Sequence, residues 1–560
     1  MKTIKRILSV LLALLTVFSV MAIGVGSVTA SAATNGVYKY DVRDDGTALL
    51  SRAYDKNYTG KVFVVPSTIG GHKVNGITVN DFLDNLRASG NDDTITSVRI
   101  EEGIVDIDAD GPFTNPELFE TYGEYSSYGE YKTNFFFTGL KNLETVYLPS
   151  TLKRIAPSMF KGCTVLKKIV IPDSVEDIAV GAFEGCTSLE TVKLPASLKR
   201  IGAYAFKNCP VKSISLPKSV KHIGDEAFSG CKNLKGKFTI PASLEELGDG
   251  VFAFCKGLTG FKIDKNNKLF VQKSGVLFDS EQTKIYSYLA KKEAKEYKVP
   301  STVKNIGAYA FAGAKNLRKL TLSKNTKEIG RYAFMYCRNL KGEFTIPKKT
   351  KYIYDGAFSF CDKITGFKVA DGNKYFCRKD GVLFNKKMTK LFSYPNGKSA
   401  DKYTVPSKVN KLAARAFAGA KNLETVTISG KLGKITKFAF YKSSVKKVTM
   451  PNTVTKIDRS AFEGCRKLKS VKLSSKLEEM GSRAFFGCVS LERIVIPKSL
   501  VNMYLDVFSE CVSLKSVKFE GNTTVFRYKV WKNCYPTVTA PKNSRGEEYA
   551  NACGYEFVAI

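Results

Sequence analysis

The sequence predicts a repeat solenoid, with coils of about 23 residues, a parallel β-sheet on one face, two inserted β-hairpins and atypical capping ends. Three observations predict it. The first is a phrase that recurs with small changes: DSVEDIAVGAFEGC at 173–186, ASLKRIGAYAFKNC at 196–209, KSVKHIGDEAFSGC at 218–231 and NTVTKIDRSAFEGC at 452–465. The second is a pair of matching gaps in that series. The third is that both ends depart from the phrase while the middle keeps it.

The copies are anchored by the residue after each apolar stretch: Pro149, Pro172, Pro195, Pro217 and Pro241, then Pro300, Ser323, Pro347, Pro406, Ser429, Pro451, Ser474 and Pro497. Each reads L-x-x-V-x-L-P-x-S-L-x-x-I-G-x-x-A-F-x-G-C. A unit this short cannot bury its own apolar face, so neighbouring coils bury it for each other. In LETVKLP, Leu189, Val192 and Leu194 alternate with Thr191 and Lys193, which is a strand signal. Proline then ends the strand by removing a donor. Leu198, Ile201 and Phe206 return to the interior. About fifteen coils at about 4.8 Å each give a stack of roughly 70 Å.

The steps from Pro241 to Pro300 and from Pro347 to Pro406 hold similar insertions, NNKLFVQKSGVLFDSEQTKIYSY and GNKYFCRKDGVLFNKKMTKLFSY. Ser274-Gly275 and Asp380-Gly381 between alternating apolar residues signal hairpin turns. The predicted organisation is a leader at 1–32, a β cap with the first coil at 33–80, a solenoid at 81–521 and a closing cap at 522–560. Insertions fall at 113–135, 264–298 and 370–404, and Trp531 takes the phenylalanine slot of the last coil. The leader has a basic start (Lys2, Lys5, Arg6), an apolar run and a small-residue exit at Ala30-Ser31-Ala32, the pattern of a secretory signal peptide. No later stretch reads as a transmembrane anchor, so the expected location is outside the cell, either released or held non-covalently at the surface.

Eleven of the thirteen cysteines share one slot, three residues after the phenylalanine or tryptophan: Cys163, Cys186, Cys209, Cys231, Cys255, Cys337, Cys361, Cys465, Cys488, Cys511 and Cys534. Ala314, Ala420 and Ser443 take that slot in other coils. No C-x2-C pair is present to hold zinc, and an obligatory disulfide does not tolerate alanine in equivalent coils. The slot reads as a compact buried thiol that fills space.

Catalytic signals are missing. His72 and His222 are the only histidines, and G-x-S-x-G, P-loop and H-E-x-x-H patterns do not occur. Glu245-Glu246 and Glu478-Glu479 read as solvated outward pairs and not as the facing carboxylates of a glycosidase. The expectation is a protein that is not an enzyme and needs no cofactor. One metal pattern stands out: Asp106, Asp108, Asp110, Gly111 and Glu117 have the spacing of an EF-hand calcium loop. The preceding SVRIEEGIV reads as a strand where such a loop needs a helix, so an acidic surface turn is the competing reading.

The formal net charge is +35, from 87 Lys+Arg and 52 Asp+Glu. It is unevenly spread: residues 33–140 carry −8 and residues from 141 onward carry +40. The outward positions of the predicted sheet carry Lys168, Lys193, Lys237, Lys262, Lys319, Lys368, Lys447, Lys472, Arg493 and Lys518, interleaved with threonines, and Glu343 is the one acid read in the same slots. These cations either keep parallel strands soluble or form a basic binding face, expected to be concave, for acidic partners. The partners that fit are acidic cell-wall polymers, acidic glycans and acidic patches of extracellular or host-surface proteins. Nucleic acid is not expected, because no recognition motif accompanies the charge.

The runs from Ile171 to Val192 and from Leu216 to Leu234, the inserted DGVLF and the EEYA…GYEFVAI ending resemble the BspA-like leucine-rich repeats of secreted and surface bacterial proteins. The resemblance covers nearly everything after the leader. It implies a leucine-rich-repeat solenoid used for adhesion or ligand binding, in some members to host extracellular proteins, and names no ligand. The leading expectation is an exported, non-enzymatic binding or adhesion protein. A secreted carbohydrate-binding accessory using the tyrosines at 122, 125, 128 and 131, or an envelope scaffold, is the alternative.

Overall fold

A computed structural model describes residues 33–34, 38–43, 45–53, 60–77, 91–104, 106–107, 137–527 and 529–560. The leader at 1–32 and the insertion at 113–135, with its four tyrosines, lie outside the described residues. The chain is a β-solenoid of about 20 turns of roughly 23 residues, and it divides into two compact units, Met1–Ala205 and Phe206–Ile560.

The first unit opens with antiparallel strands Ala33–Thr34, Tyr38–Val42 and Ala48–Ala53. The chain then switches to parallel pairing, with Ala48–Ala53 against His72–Ile77 and Val62–Val65 against Ser97–Ile100 and Thr145–Tyr147. The coil from 150 to 205 shows how the phrase folds. Ile169 and Val192 are buried between exposed neighbours, in parallel register Lys168↔Thr191 and Val170↔Lys193. A second parallel ladder, not foreseen from the sequence, runs through the residue pair that ends S-L-x-x-I: Arg154–Ile155, Asp177–Ile178 and Arg200–Ile201. Its isoleucines face inward, so each coil is closed by two sheets and not one.

The second unit repeats this design from Phe206 to the carboxyl end. After the second ladder the chain turns sharply through A-F-x-G-C, and two residues per turn adopt positive φ, as at Ser460 (54°) and Gly464 (70°). Within that turn the phenylalanine N–H donates to the next coil, Phe440 to the Ala461 carbonyl and Phe462 to the Ala484 carbonyl, both at 2.8 Å. The rings then stack along the axis, Phe417 on Phe440 at 4.8 Å, Phe440 on Phe462 at 4.9 Å and Phe462 on Phe485 at 5.0 Å. The glycine after the isoleucine has a packing reason. A Cβ on Gly330 would sit 2.5 Å from the Ala308 nitrogen of the preceding coil, so the coils approach backbone to backbone there.

The inserted segments are two hairpins, Phe270–Lys273 with Val276–Asp279 and Phe376–Lys379 with Val382–Asn385. Their two-residue turns have positive φ at both positions, Ser274 and Gly275 at 49° and 73°, Asp380 and Gly381 at 52° and 74°, which is the conformation that matches strand twist. Each hairpin is fastened by a buried asparagine. Asn373 Nδ2 donates to the carbonyls of Pro347 (2.8 Å) and Thr350 (3.1 Å), and its Oδ1 accepts from the Tyr375 and Phe376 N–H groups. Asn267 repeats the same four bonds in the first hairpin. Residues 264–298 and 370–404 are not wholly insertions, because Glu296–Lys298 and Lys402–Val405 at their ends are strands of the long sheet.

The carboxyl end is closed by helix α1, Arg545–Cys553, which follows strand Thr537–Ala540 and precedes strand Phe557–Ala559. Ser544 caps its start by accepting from the Glu547 N–H, and Glu547 accepts in return from the Asn543 N–H. Gly554 ends it at φ 71°. Trp531 is buried and stacks on Phe508 at 6.5 Å, so the last coil keeps the ring column.

Candidate functional site

The eleven slot cysteines are all buried, and none forms a disulfide. They do more than fill space. Each of those with a recorded bond donates its thiol to the carbonyl of the phenylalanine one coil earlier: Cys255 to Phe228 at 3.0 Å, Cys465 to Phe440 at 2.9 Å and Cys488 to Phe462 at 3.2 Å. Burial pushes the Cys255, Cys337 and Cys465 thiols up to about 12 and the Cys488 thiol well above the usual range. A thiol held protonated is a poor nucleophile and a poor metal ligand. Among the described residues no three His, Cys, Asp or Glu side chains form a group that could hold a metal.

Of the calcium pattern, only the backbone of Asp106 is described. It lies in a short strand, Asp106–Ile107, paired in parallel with Gly76–Ile77. Asp108, Asp110, Gly111 and Glu117 are outside the described residues. His72 Nδ1 donates to the Gly46 carbonyl at 3.0 Å. The glutamate pairs belong to the outward side of the second ladder, where Glu245 meets Lys221 at 3.0 Å, Glu246 meets His222 at 3.2 Å and Glu479 meets Lys456 at 2.8 Å.

All ten cations read from the sequence lie on strands of the first ladder and are exposed, Lys168 and Lys193 in the first unit and the other eight in the second. The register divides them into two columns. Within the sheet from 402 to 472, one column runs Lys402, Thr425, Lys447, Ser470 and the other Thr404, Thr427, Thr449, Lys472. In the next sheet, Arg493 lies beside Ser516 and Lys518 beside Val495. A cation is therefore followed by a hydroxyl or an apolar residue on the next strand. Two strands separate successive charges of a column, about 9.6 Å, which is close to the screening length at physiological salt.

Two corrections follow. Glu343 is not the one acid on this surface, because Glu296 occupies the same column. The two acids take up two of the ten cations: Lys319 pairs with Glu296 at 3.5 Å and Lys368 with Glu343 at 2.9 Å. Lys298 and Lys402 also belong to the face and were hidden behind the hairpins. Counting back 23 residues from Thr321 and Thr425 locates both. From Lys402 to Lys518 none of Lys402, Lys447, Lys472, Arg493 and Lys518 has an acidic partner among the described residues. In the second ladder of the same unit Lys284, Lys390, Lys434 and Lys456 each meet an acid, as Lys434 meets Asp458 at 2.8 Å, and Lys411 meets none among the described residues.

A family described as the BspA type leucine rich repeat region matches residues 155–275, 281–395, 387–515 and 433–544, in six copies. The chain belongs to the BspA-type leucine-rich repeat family. No curated protein matches it. Similar solved structures include a leucine-rich repeat protein from Eubacterium ventriosum, 19% identical over 84% of this chain and 91% of that one, with a TM-score of 0.37. A leucine rich cell surface protein from Faecalibacterium prausnitzii is 19% identical over 88% and 96%, with a TM-score of 0.33. The pneumococcal vaccine antigen PcpA is 16% identical over 95% and 99%, with a TM-score of 0.37. No helix among the described residues of this BspA-type chain is long and apolar enough to cross a membrane.

Proposed function

We propose that the chain is an exported, non-enzymatic binding protein that engages acidic envelope polymers or acidic surfaces of extracellular proteins through the outer face of its long sheet. The observation that carries this reading is the contrast between the two ladders of the second unit. Acids pair with most cations of the short ladder, while the long sheet from Lys402 to Lys518 presents five cations that form no ion pair among the described residues. Solubility alone asks for charge of either sign, not for the segregation of acids to one side. The leader supports export. Hydroxyls between the cations add neutral donors and acceptors at the strand spacing, which suits a hydrated chain of repeating anionic groups.

The test is binding to purified wall teichoic acid and to extracellular matrix proteins across a salt series, for the wild type and a Lys447→Glu, Lys472→Glu, Lys518→Glu variant. Wild-type binding is expected to weaken steeply between about 0.05 and 0.5 M salt, and the variant is expected to lose at least about tenfold in affinity, a change of about 1.4 kcal/mol. Binding that ignores both salt and the three reversals would overturn the reading.

A further inference from the structure

Each inserted hairpin interrupts the stack. In an uninterrupted coil three turn N–H groups donate forward, those of Tyr332, Phe334 and Tyr336 to the carbonyls of Asp355, Ala357 and Ser359 at 3.3, 2.9 and 3.0 Å. One coil later the equivalent N–H groups of Gly356, Phe358 and Phe360 meet no acceptor among the described residues. The strand Tyr352–Ile353 ends one run of the short ladder, and Lys390–Ser393 begins the next. Between them lies a small cleft of about 10 Å³, room for one water-sized group, bounded by residues 353, 354 and 356–359 on one side and by Phe392, Ser393 and Arg415 on the other.

Two side-chain donors open into the same place. Ser359 is 3% exposed and its hydroxyl has no partner. The guanidinium of Arg415 is held by aromatic faces, 4.3 Å from the centre of the Phe438 ring and 5.0 Å from that of Tyr441, with Nε donating to the Tyr332 hydroxyl at 3.3 Å. Its Nη1 is buried and has no acceptor. A buried donor without a partner costs free energy unless something supplies the acceptor.

The first hairpin supplies an internal comparison. Its seam also leaves the N–H groups of Gly250, Phe252 and Phe254 without acceptors among the described residues. In the duplicated segments, however, Ser359 corresponds to Ala253 and Arg415 to Tyr309. The Tyr309 ring lies over Gly250, 2.8 Å from where a Cβ would stand. The second seam also has a ring over its glycine, that of Tyr332 over Gly356. What differs is the second side chain at the glycine, Glu226 in the first copy and Arg415 in the second.

We propose that the second seam is a subsite for the carboxylate of an acidic sugar. The turn offers donors without free acceptors, because the carbonyls of Asp355, Ala357 and Ser359 are already taken by the preceding coil. A peptide strand brings equal numbers of N–H and C=O groups and would be only half satisfied. A carboxylate brings acceptors alone and matches a guanidinium fork. Of the acids near the rim, Asp355 has Lys390 at 3.9 Å and Glu328 bonds the Tyr354 side chain. Beside the cleft Tyr352 and Tyr354 are 47% and 46% exposed, with ring centres 6.5 Å apart and the Lys351 ammonium 4.9 Å from the Tyr352 centre, an aromatic surface for the C–H face of a sugar ring.

The site is independent of the basic sheet, and the experiment separates the two. Calorimetry with trigalacturonate, neutral galactotriose and triglutamate is run on the full chain, on Arg415→Tyr, which installs the residue of the first copy, and on the Lys447→Glu, Lys472→Glu, Lys518→Glu variant. Trigalacturonate is expected to bind the wild type and the sheet variant alike, to bind Arg415→Tyr at least about tenfold more weakly, and to exceed both other probes. Thermal unfolding checks that Arg415→Tyr is folded. No binding to the wild type, equal binding of triglutamate, or undiminished binding to a folded Arg415→Tyr overturns the proposal.

Discussion

The slot cysteine is a polar group disguised as an apolar one. Its sulfur fills a buried site, and its weak donor adds a second bond to a phenylalanine carbonyl that already accepts from an N–H of its own coil, as Phe462 does from Cys465 at 3.1 Å. Alanine at 314 and 420 keeps the volume roughly and forgoes the bond, which shows the bond to be useful and not obligatory. The raised thiols set a pH limit. A group whose folded value lies above its unfolded value of about 9 lends stability below that value and withdraws it as pH rises toward about 12. The urea midpoint is expected to be flat in these groups to about pH 8.5 and to fall above it, by up to about 1.4 kcal/mol per pH unit for each thiol. In Cys465→Ala the alkaline slope should be shallower; an unchanged slope would remove thiols as its cause. Iodoacetamide at pH 8 is expected to modify exposed Cys553 first, half-buried Cys377 more slowly, and the buried eleven only after denaturation.

At the scale of elements, the hairpins depend on single side chains more than the coils do. Asn373 is 2% exposed and makes four bonds, two to the coil and two to the hairpin strand. Asn373→Ala strips partners from two buried carbonyls and two N–H groups, for an expected loss of about 3 kcal/mol, read as an earlier urea midpoint. A loss below about 0.5 kcal/mol would mean that water replaces the amide. The long strands, the ring column and the hairpin turns were legible because period, alternation and Ser-Gly or Asp-Gly pairs are local signals. The short ladder was not, since two residues are too few to show alternation. Glu296 and Lys402 escaped because the hairpins displaced them from the proline series. Arg415 and Ser359 escaped for a deeper reason: their meeting depends on the absence of a coil between them, and Tyr332 is 83 residues from Arg415. No pattern in the string encodes a missing neighbour.

The molecule as a whole carries its charge unevenly, with +40 on residues from 141 onward. Such a balance repels itself, and dissolved ions relieve the repulsion. Surface ion pairs work the other way, but individually they contribute about 0–1 kcal/mol. The melting temperature is therefore expected to rise between about 0.05 and 0.5 M sodium chloride, and a fall would place the balance with the ion pairs. The second unit is also less uniform than its repeat suggests. One buried cluster ends with Phe376 and Leu383, and the next begins with Val382 and Phe384.

The paired sheets stop at the same place: Lys363–Val369 closes one run of the long sheet and Lys402–Val405 opens another. Mechanical tension along the chain should thus find a fault line there. Pulled from its ends, the polypeptide is expected to yield in discrete packets bounded by the two hairpins, not to unravel one coil at a time.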